Sequence, residues 1–133
     1  MRLPSYLTAL SLTVMLTACS KDSQSGGPGS ELITAPPKNT SEAADQMEAV
    51  FAEAPPQVKA NAVDASQALK TKDYEQAVII VHALQTQENL THEQGLAARN
   101  TMVTLQKDLI RAMEAGDTNA QKAFERLREL HRN

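Results

Sequence analysis

The chain has 133 residues, enough for one domain at most with a tail. Hydrophobic residues make up 41% and charged residues 22%, a globular balance, but aromatics are only 3% and Trp is absent; a core must be built from Ala, Leu, Val, Ile and Met, which suits packed helices and excludes a sandwich or barrel rich in aromatic and β-branched strands. A formal net charge of −3 excludes a general nucleic-acid binder, because phosphate binding needs a dense basic face.

Residues 1–19 read MRLPSYLTALSLTVMLTAC. Arg2 and the terminal amine give a positive start, and Tyr6 to Leu16 follows as an apolar stretch without a charge. That stretch is too short to cross a hydrocarbon core of about 30 Å, so it reads as the core of a signal peptide over residues 1–18. It stops at Leu16-Thr17-Ala18-Cys19, and Cys19 is the only cysteine, which excludes an intramolecular disulfide. An aliphatic residue, two small residues and a cysteine in this place resemble the lipobox of bacterial lipoproteins. The resemblance implies cleavage before Cys19, a diacylglyceryl thioether on its sulfur, and usually a third acyl chain on the new amine. Two or three chains, at roughly 0.8 kcal/mol per buried methylene, would hold the protein firmly on a membrane. Ser20 and Lys21 follow the cysteine where an inner-membrane lipoprotein of enteric bacteria has Asp directly after it, so the resemblance favours the periplasmic side of the outer membrane.

Residues 19–40 are expected to be the lipidated cysteine and a disordered tether. The stretch SKDSQSGGPGSELITAPPKNT has too little apolar content to offset chain ordering, and a coil of that length reaches on the order of 25 Å.

The domain is then expected over residues 41–133, as an all-α bundle of about five helices arranged as antiparallel hairpins. The first predicted helix runs from Ser41 to Ala54, capped by Ser41 or Thr40, with Met47, Val50, Phe51 and Ala54 on one face and Pro55-Pro56 ending it. Its charges, Glu42, Asp45, Glu48 and Glu53, are all acidic. The second runs from Pro56 to Lys70 with a narrow stripe of Val58, Ala62, Ala65 and Leu69. The third begins at Asp73, with Gln76 completing a variant capping box, and presents Tyr74, Ala77, Val78, Val81 and Leu84, widened by Ile79 and Ile80. The fourth follows Thr91, again with a Gln three residues on, and repeats Ala98, Met102, Leu105, Leu109 and Met113 until Gly116 supplies a left-handed stop. The fifth begins at Asp117, with Ala120, Ala123, Phe124, Leu127 and Leu130 inward and Glu125–Arg128 and Glu129–Arg132 pairs expected on its solvent side.

Sliding the chain by 44 places Asp73 on Asp117 and Ala68-Leu69 on Ala112-Met113. Both sites read helix, short turn, Asp, helix. The first of them, around residues 65–84, resembles the junction of a tetratricopeptide hairpin, with Tyr74, Ala77 and Leu84 at second-helix positions. The spacing departs from the 34 residues of that family, and its Trp-Leu-Gly start and closing Pro are absent, so a generic antiparallel bundle stays open beside it. The resemblance implies a concave surface for a peptide or protein segment.

The three histidines, His82, His92 and His131, form no H-x-x-x-H or H-E-x-x-H pattern. His82 is expected to be a partly buried histidine with one hydrogen bond, and His131 to answer the C-terminal helix dipole. The Arg126, Arg128 and Arg132 cluster is offset by Glu125 and Glu129. No catalytic, metal or cofactor residue is expected, and Cys19 is the one site residue. The composite expectation is a lipid-anchored envelope protein whose helical domain is an adaptor or scaffold for another envelope protein or peptide. The alternatives are a structural spacer between membrane and cell wall, and an unrecognised cell-wall enzyme.

Overall fold

A computed structural model describes residues 35–133. The expected signal peptide, Cys19 and most of the expected tether lie outside the described residues. Five helices follow: α1 Thr40–Val50, α2 Pro56–Thr71, α3 Tyr74–Gln85, α4 His92–Glu114 and α5 Thr118–Leu130. Helix α1 packs on α2 and α4, α2 on α3, and α3 on α4, which closes a ring of four antiparallel helices. Helix α5 lies along the groove between α3 and α4. The 23-residue α4 is the spine, about 34 Å long at 1.5 Å per residue.

The third helix buries the centre of its predicted face, but Ile79, expected to widen it, is only half-buried and does not join the core. Tyr74, Ala77, Val78, Val81 and Leu84 are all buried, and Ile80 packs on the core from its edge. The predicted stripes of α2 and α4 are also buried at Ala62, Ala65 and Leu69, and at Ala98, Met102, Leu105 and Leu109. Val58 and Met113 lie at the core's margin. About half of the buried apolar residues are alanines; such short side chains let helix axes come together at the near end of the usual 8–10 Å range.

The first helix departs from expectation at both ends. Its cap is Asn39, whose Oδ1 accepts from the Glu42 amide at 2.9 Å, and this leaves the Thr40 hydroxyl to donate to Asp108 Oδ2 at 3.3 Å. The helix stops at Val50, and Phe51 to Ala54 form a tight turn, Ala54 donating to the Phe51 carbonyl at 3.1 Å. A residue before proline is driven out of the α region, so the chain must unwind ahead of Pro55-Pro56, and this turn drops Phe51 fully into the core.

Residues 35–39, expected to belong to the tether, are part of the packed body. Pro37 is buried, its carbonyl accepts from the Thr104 hydroxyl at 3.1 Å, and the Ala35 carbonyl accepts from Gln46 Nε2 at 3.0 Å. An extended, proline-bearing segment cannot make ladder bonds, so side chains of α1 and α4 satisfy its carbonyls. On α5 the expected Glu125–Arg128 and Glu129–Arg132 pairs give way to Arg126–Glu129, at 3.1 Å. Such exposed alternatives differ by only tenths of a kcal/mol, so spacing does not decide among them.

The two junctions related by 44 positions share one geometry. At the first, Asp73 donates to the Ala68 carbonyl at 2.9 Å and Lys72 to Leu69 at 3.4 Å; at the second, Asp117 donates to Ala112 at 3.0 Å and Gly116 to Met113 at 2.9 Å. Asp73 and Asp117 then each cap the following helix through a carboxylate oxygen. The left-handed residue is Gly116 at φ 87° in one and Lys72 at φ 57° in the other. A left-handed non-glycine residue costs about 1–2 kcal/mol. Replacing Lys72 with Gly is therefore expected to raise the unfolding free energy by about 0.5–1 kcal/mol in urea, and Gly116→Ala to lower it by about 1 kcal/mol.

Candidate functional site

The expected site residue, Cys19, lies outside the described residues, so the features open to chemistry are those of the helical body. The first is the seam between α1 and α2, where an acidic helix meets the Ala/Leu stripe. Lys70 Nζ bridges Asp45 Oδ1 and Glu48 Oε1, both at 3.0 Å. The fully buried Ser66 donates its hydroxyl to the same Glu48 oxygen. Ala62, Ala65 and Leu69 are buried beneath these contacts, so the seam is sealed. Helix α1 also reaches across to α4. The concave surface that the tetratricopeptide resemblance implies would need an open face shared by α2 and α4, and α1 covers it.

The second feature is a polar node at the bundle's other edge. Asp108 on α4 accepts from Thr40 and, at 3.5 Å, from the Tyr74 hydroxyl. Burial first, and then the Asp108 and Asp117 carboxylates, push the Tyr74 phenol above its ordinary value. The node ties the start of α1 and the start of α3 to one turn of α4, which is a structural role.

The histidines divide. His82 on α3 and His131 just past α5 are brought together with ring centroids 5.9 Å apart and planes at 67°, an edge-to-face contact. His131 Nδ1 lies 2.9 Å from the Leu127 carbonyl. His82 is partly buried, as expected, but its Nδ1 finds no hydrogen-bond partner among the described residues, so the single hydrogen bond expected of it is replaced by ring packing. His92 stands apart, in an open cleft of about 560 Å³ at the turn between α3 and α4, with Gln85, Asn89, Leu96 and Arg99. Among the described residues no group of three His, Cys, Asp or Glu side chains could hold a metal ion. The His82–His131 pairing joins residues distant in the chain, and no local pattern could have announced it.

Exposed aliphatic residues on two helices were also not singled out. Val63 on α2 is 45% exposed, and Val103 and Ile110 on α4 are 44% and 45% exposed. A third omission is Thr101, fully buried with its hydroxyl unpartnered among the described residues. No protein-family model, curated protein or solved structure matches this chain.

Two measurements test this geometry. A buried hydroxyl without a partner carries its desolvation cost uncompensated, so Thr101→Val should stabilise the protein by about 1 kcal/mol in chemical denaturation. The Ser66 hydroxyl and then the Lys70 ammonium hold the Glu48 carboxyl below its ordinary 4.5, while Asp45 and Glu48 hold Lys70 above its ordinary 10.5. A carboxyl depressed in the folded state stabilises above its unfolded value, and the gain is lost as pH falls through the folded value. The stability difference between the wild type and Glu48→Gln should therefore shrink as pH drops below about 4.5, and it should be no more than tenths of a kcal/mol because the group is solvent-screened.

Proposed function

We propose that the chain is a lipid-anchored protein of the bacterial cell envelope, held on the periplasmic side of the outer membrane by acyl chains on Cys19. Its helical domain is an adaptor or scaffold that binds another envelope protein or peptide. The observation that carries the anchoring is Leu16-Thr17-Ala18-Cys19, placed where an apolar, charge-free stretch stops and holding the chain's only cysteine. An acylated sulfur fixes one end of the molecule and makes the other a reach-out module.

The form of binding follows from the packing. With α1 laid over α2 and α4, a partner meets outer helix faces rather than an inter-helical groove. The α1–α2 face offers such a surface, with Val63 in line with Lys59, Gln67 and Lys70 on α2 and bordered by the carboxylates of Asp45 and Glu48. A membrane-to-wall spacer is the second reading, favoured by the sealed seam. Spacing by a rod would need unbroken heptads, whereas Pro55, Pro56 and Gly116 divide the helices. A cell-wall enzyme is the least supported, since the cleft beside His92 is lined without a carboxylate.

Cys19→Ser is expected to abolish palmitate incorporation and to move the chain from the membrane to the soluble fraction. Unchanged labelling and membrane retention in that variant would contradict the anchor. A photo-crosslinker at Val63 should give one discrete adduct on intact cells, and a spacer should give none.

A further inference from the structure

Helix α4 turns one face to solvent along its middle. Leu96, Arg99, Val103, Lys107 and Ile110 follow one another at spacings of three, four, four and three, so they form a single stripe. Val103 and Ile110 are 44% and 45% exposed, Arg99 is exposed before Val103, and Lys107 is exposed between the two. Arg111 flanks the stripe. None of these three cations forms an ion pair with a described residue; the pairs among those residues use Lys70 and Arg126. Gln106 and Asn100 border the stripe, and Glu114 closes its C-terminal end. In a chain of net charge −3, this is a local strip of unneutralised positive charge alternating with aliphatic side chains.

Two further observations say what meets it. The described chain begins at Ala35 beside this helix, because the Pro37 carbonyl is held by Thr104 and the Thr40 hydroxyl by Asp108, both on α4. Cys19 stands 16 residues before Ala35, which keeps the domain within roughly 55 Å of an acylated cysteine even when that segment is fully drawn out. An anchor would therefore pull from beside α4, the helix that carries the stripe, where residues 35–40 are held between α1 and α4. Helix α2, with the equally exposed Val63, lies diagonally opposite α4 in the four-helix ring.

We propose that the Leu96–Ile110 face of α4 lies on an anionic lipid bilayer, with Arg99, Lys107 and Arg111 against headgroup phosphates and Val103 and Ile110 dipping among the headgroups. This rests on the acylation of Cys19 and deepens it: the anchor supplies the proximity, and the face sets the orientation. The Val63 face of α2 is thereby turned away from the membrane, toward a protein partner. Each Lys or Arg close to an anionic surface multiplies the docked fraction about fivefold, and the interaction is screened beyond a Debye length of about 8 Å at physiological salt.

The test uses the acylated chain isolated from membranes and reconstituted in phosphatidylcholine vesicles, with or without phosphatidylglycerol, and carrying a headgroup-linked quencher. A thiol-reactive fluorophore is placed at Val103→Cys or, separately, at Val63→Cys. The proposal expects quenching at position 103 and not at 63, only on vesicles with phosphatidylglycerol, fading as salt rises. Adding Arg99→Gln and Lys107→Gln should reduce the docked-to-undocked ratio about 25-fold. Equal quenching at both positions, or quenching at 103 that ignores lipid charge and salt, overturns the proposal, even if a protein is later found on that face. Failure of the anchor reads differently: Cys19 itself then reacts with the fluorophore and the chain does not float with the vesicles.

Discussion

The structure depends on one constraint, the scarcity of large apolar side chains. With Phe51 and Tyr74 the only buried aromatics among the described residues and about half of the buried apolar residues alanine, the core can be dry only if helix axes approach closely. Close approach is what four helices in a ring achieve. It also explains why α1 is indispensable despite its acidic surface. Met47 and Phe51 are among the bulkiest fully buried side chains, and both stand on or just after that short helix. Without them the facing stripes of α2 and α4 would border a void.

That constraint shapes function as well. A hairpin array leaves a groove when nothing fills the space between its first helices. Here the chain fills it with its own α1 and locks the seam with Lys70, Glu48 and Ser66. The proposed partner binding therefore falls to its outer faces. Two of these carry exposed aliphatics with different electrostatic surroundings, one beside the carboxylates of α1 and one between unpaired cations on α4. Under the proposed anchoring at Cys19 the domain has a preferred near side, so unlike faces can serve unlike neighbours.

Much of the fold was legible because it is written in local chemistry. The centre of the α3 face is buried as expected, the reciprocal Thr91–Gln94 capping box forms in both directions, and Gly116 takes the left-handed stop. What stayed hidden depends on tertiary context. Asn39 outcompetes Thr40 as a cap because the Thr40 hydroxyl is wanted by Asp108, 68 positions away. Phe51 leaves the helical path because the core needs its ring. Lys72 adopts a left-handed conformation that its residue type disfavours, because the Asp73 cap fixes where α3 starts. The His82–His131 contact and the orphaned Thr101 hydroxyl arise only when distant segments meet. Composition placed residues 35–39 in a tether, yet Thr104 and Gln46 recruit their carbonyls. The site expected from the sequence, Cys19, lies outside the described residues; the exposed faces of α2 and α4 are negatives of the core pattern, visible once burial is known.

The central claim is that α1 is an integral wall of the bundle rather than a strap over a groove. Native-state hydrogen exchange tests it most directly. If α1 is integral, the amides of Ala44, Met47 and Phe51 exchange only through the global opening that also frees Val78 on α3 and Leu105 on α4, with the same free energy and the same denaturant dependence. Exchange at those α1 amides through a separate, cheaper opening that leaves α3 and α4 protected would contradict the account and restore a groove between α2 and α4.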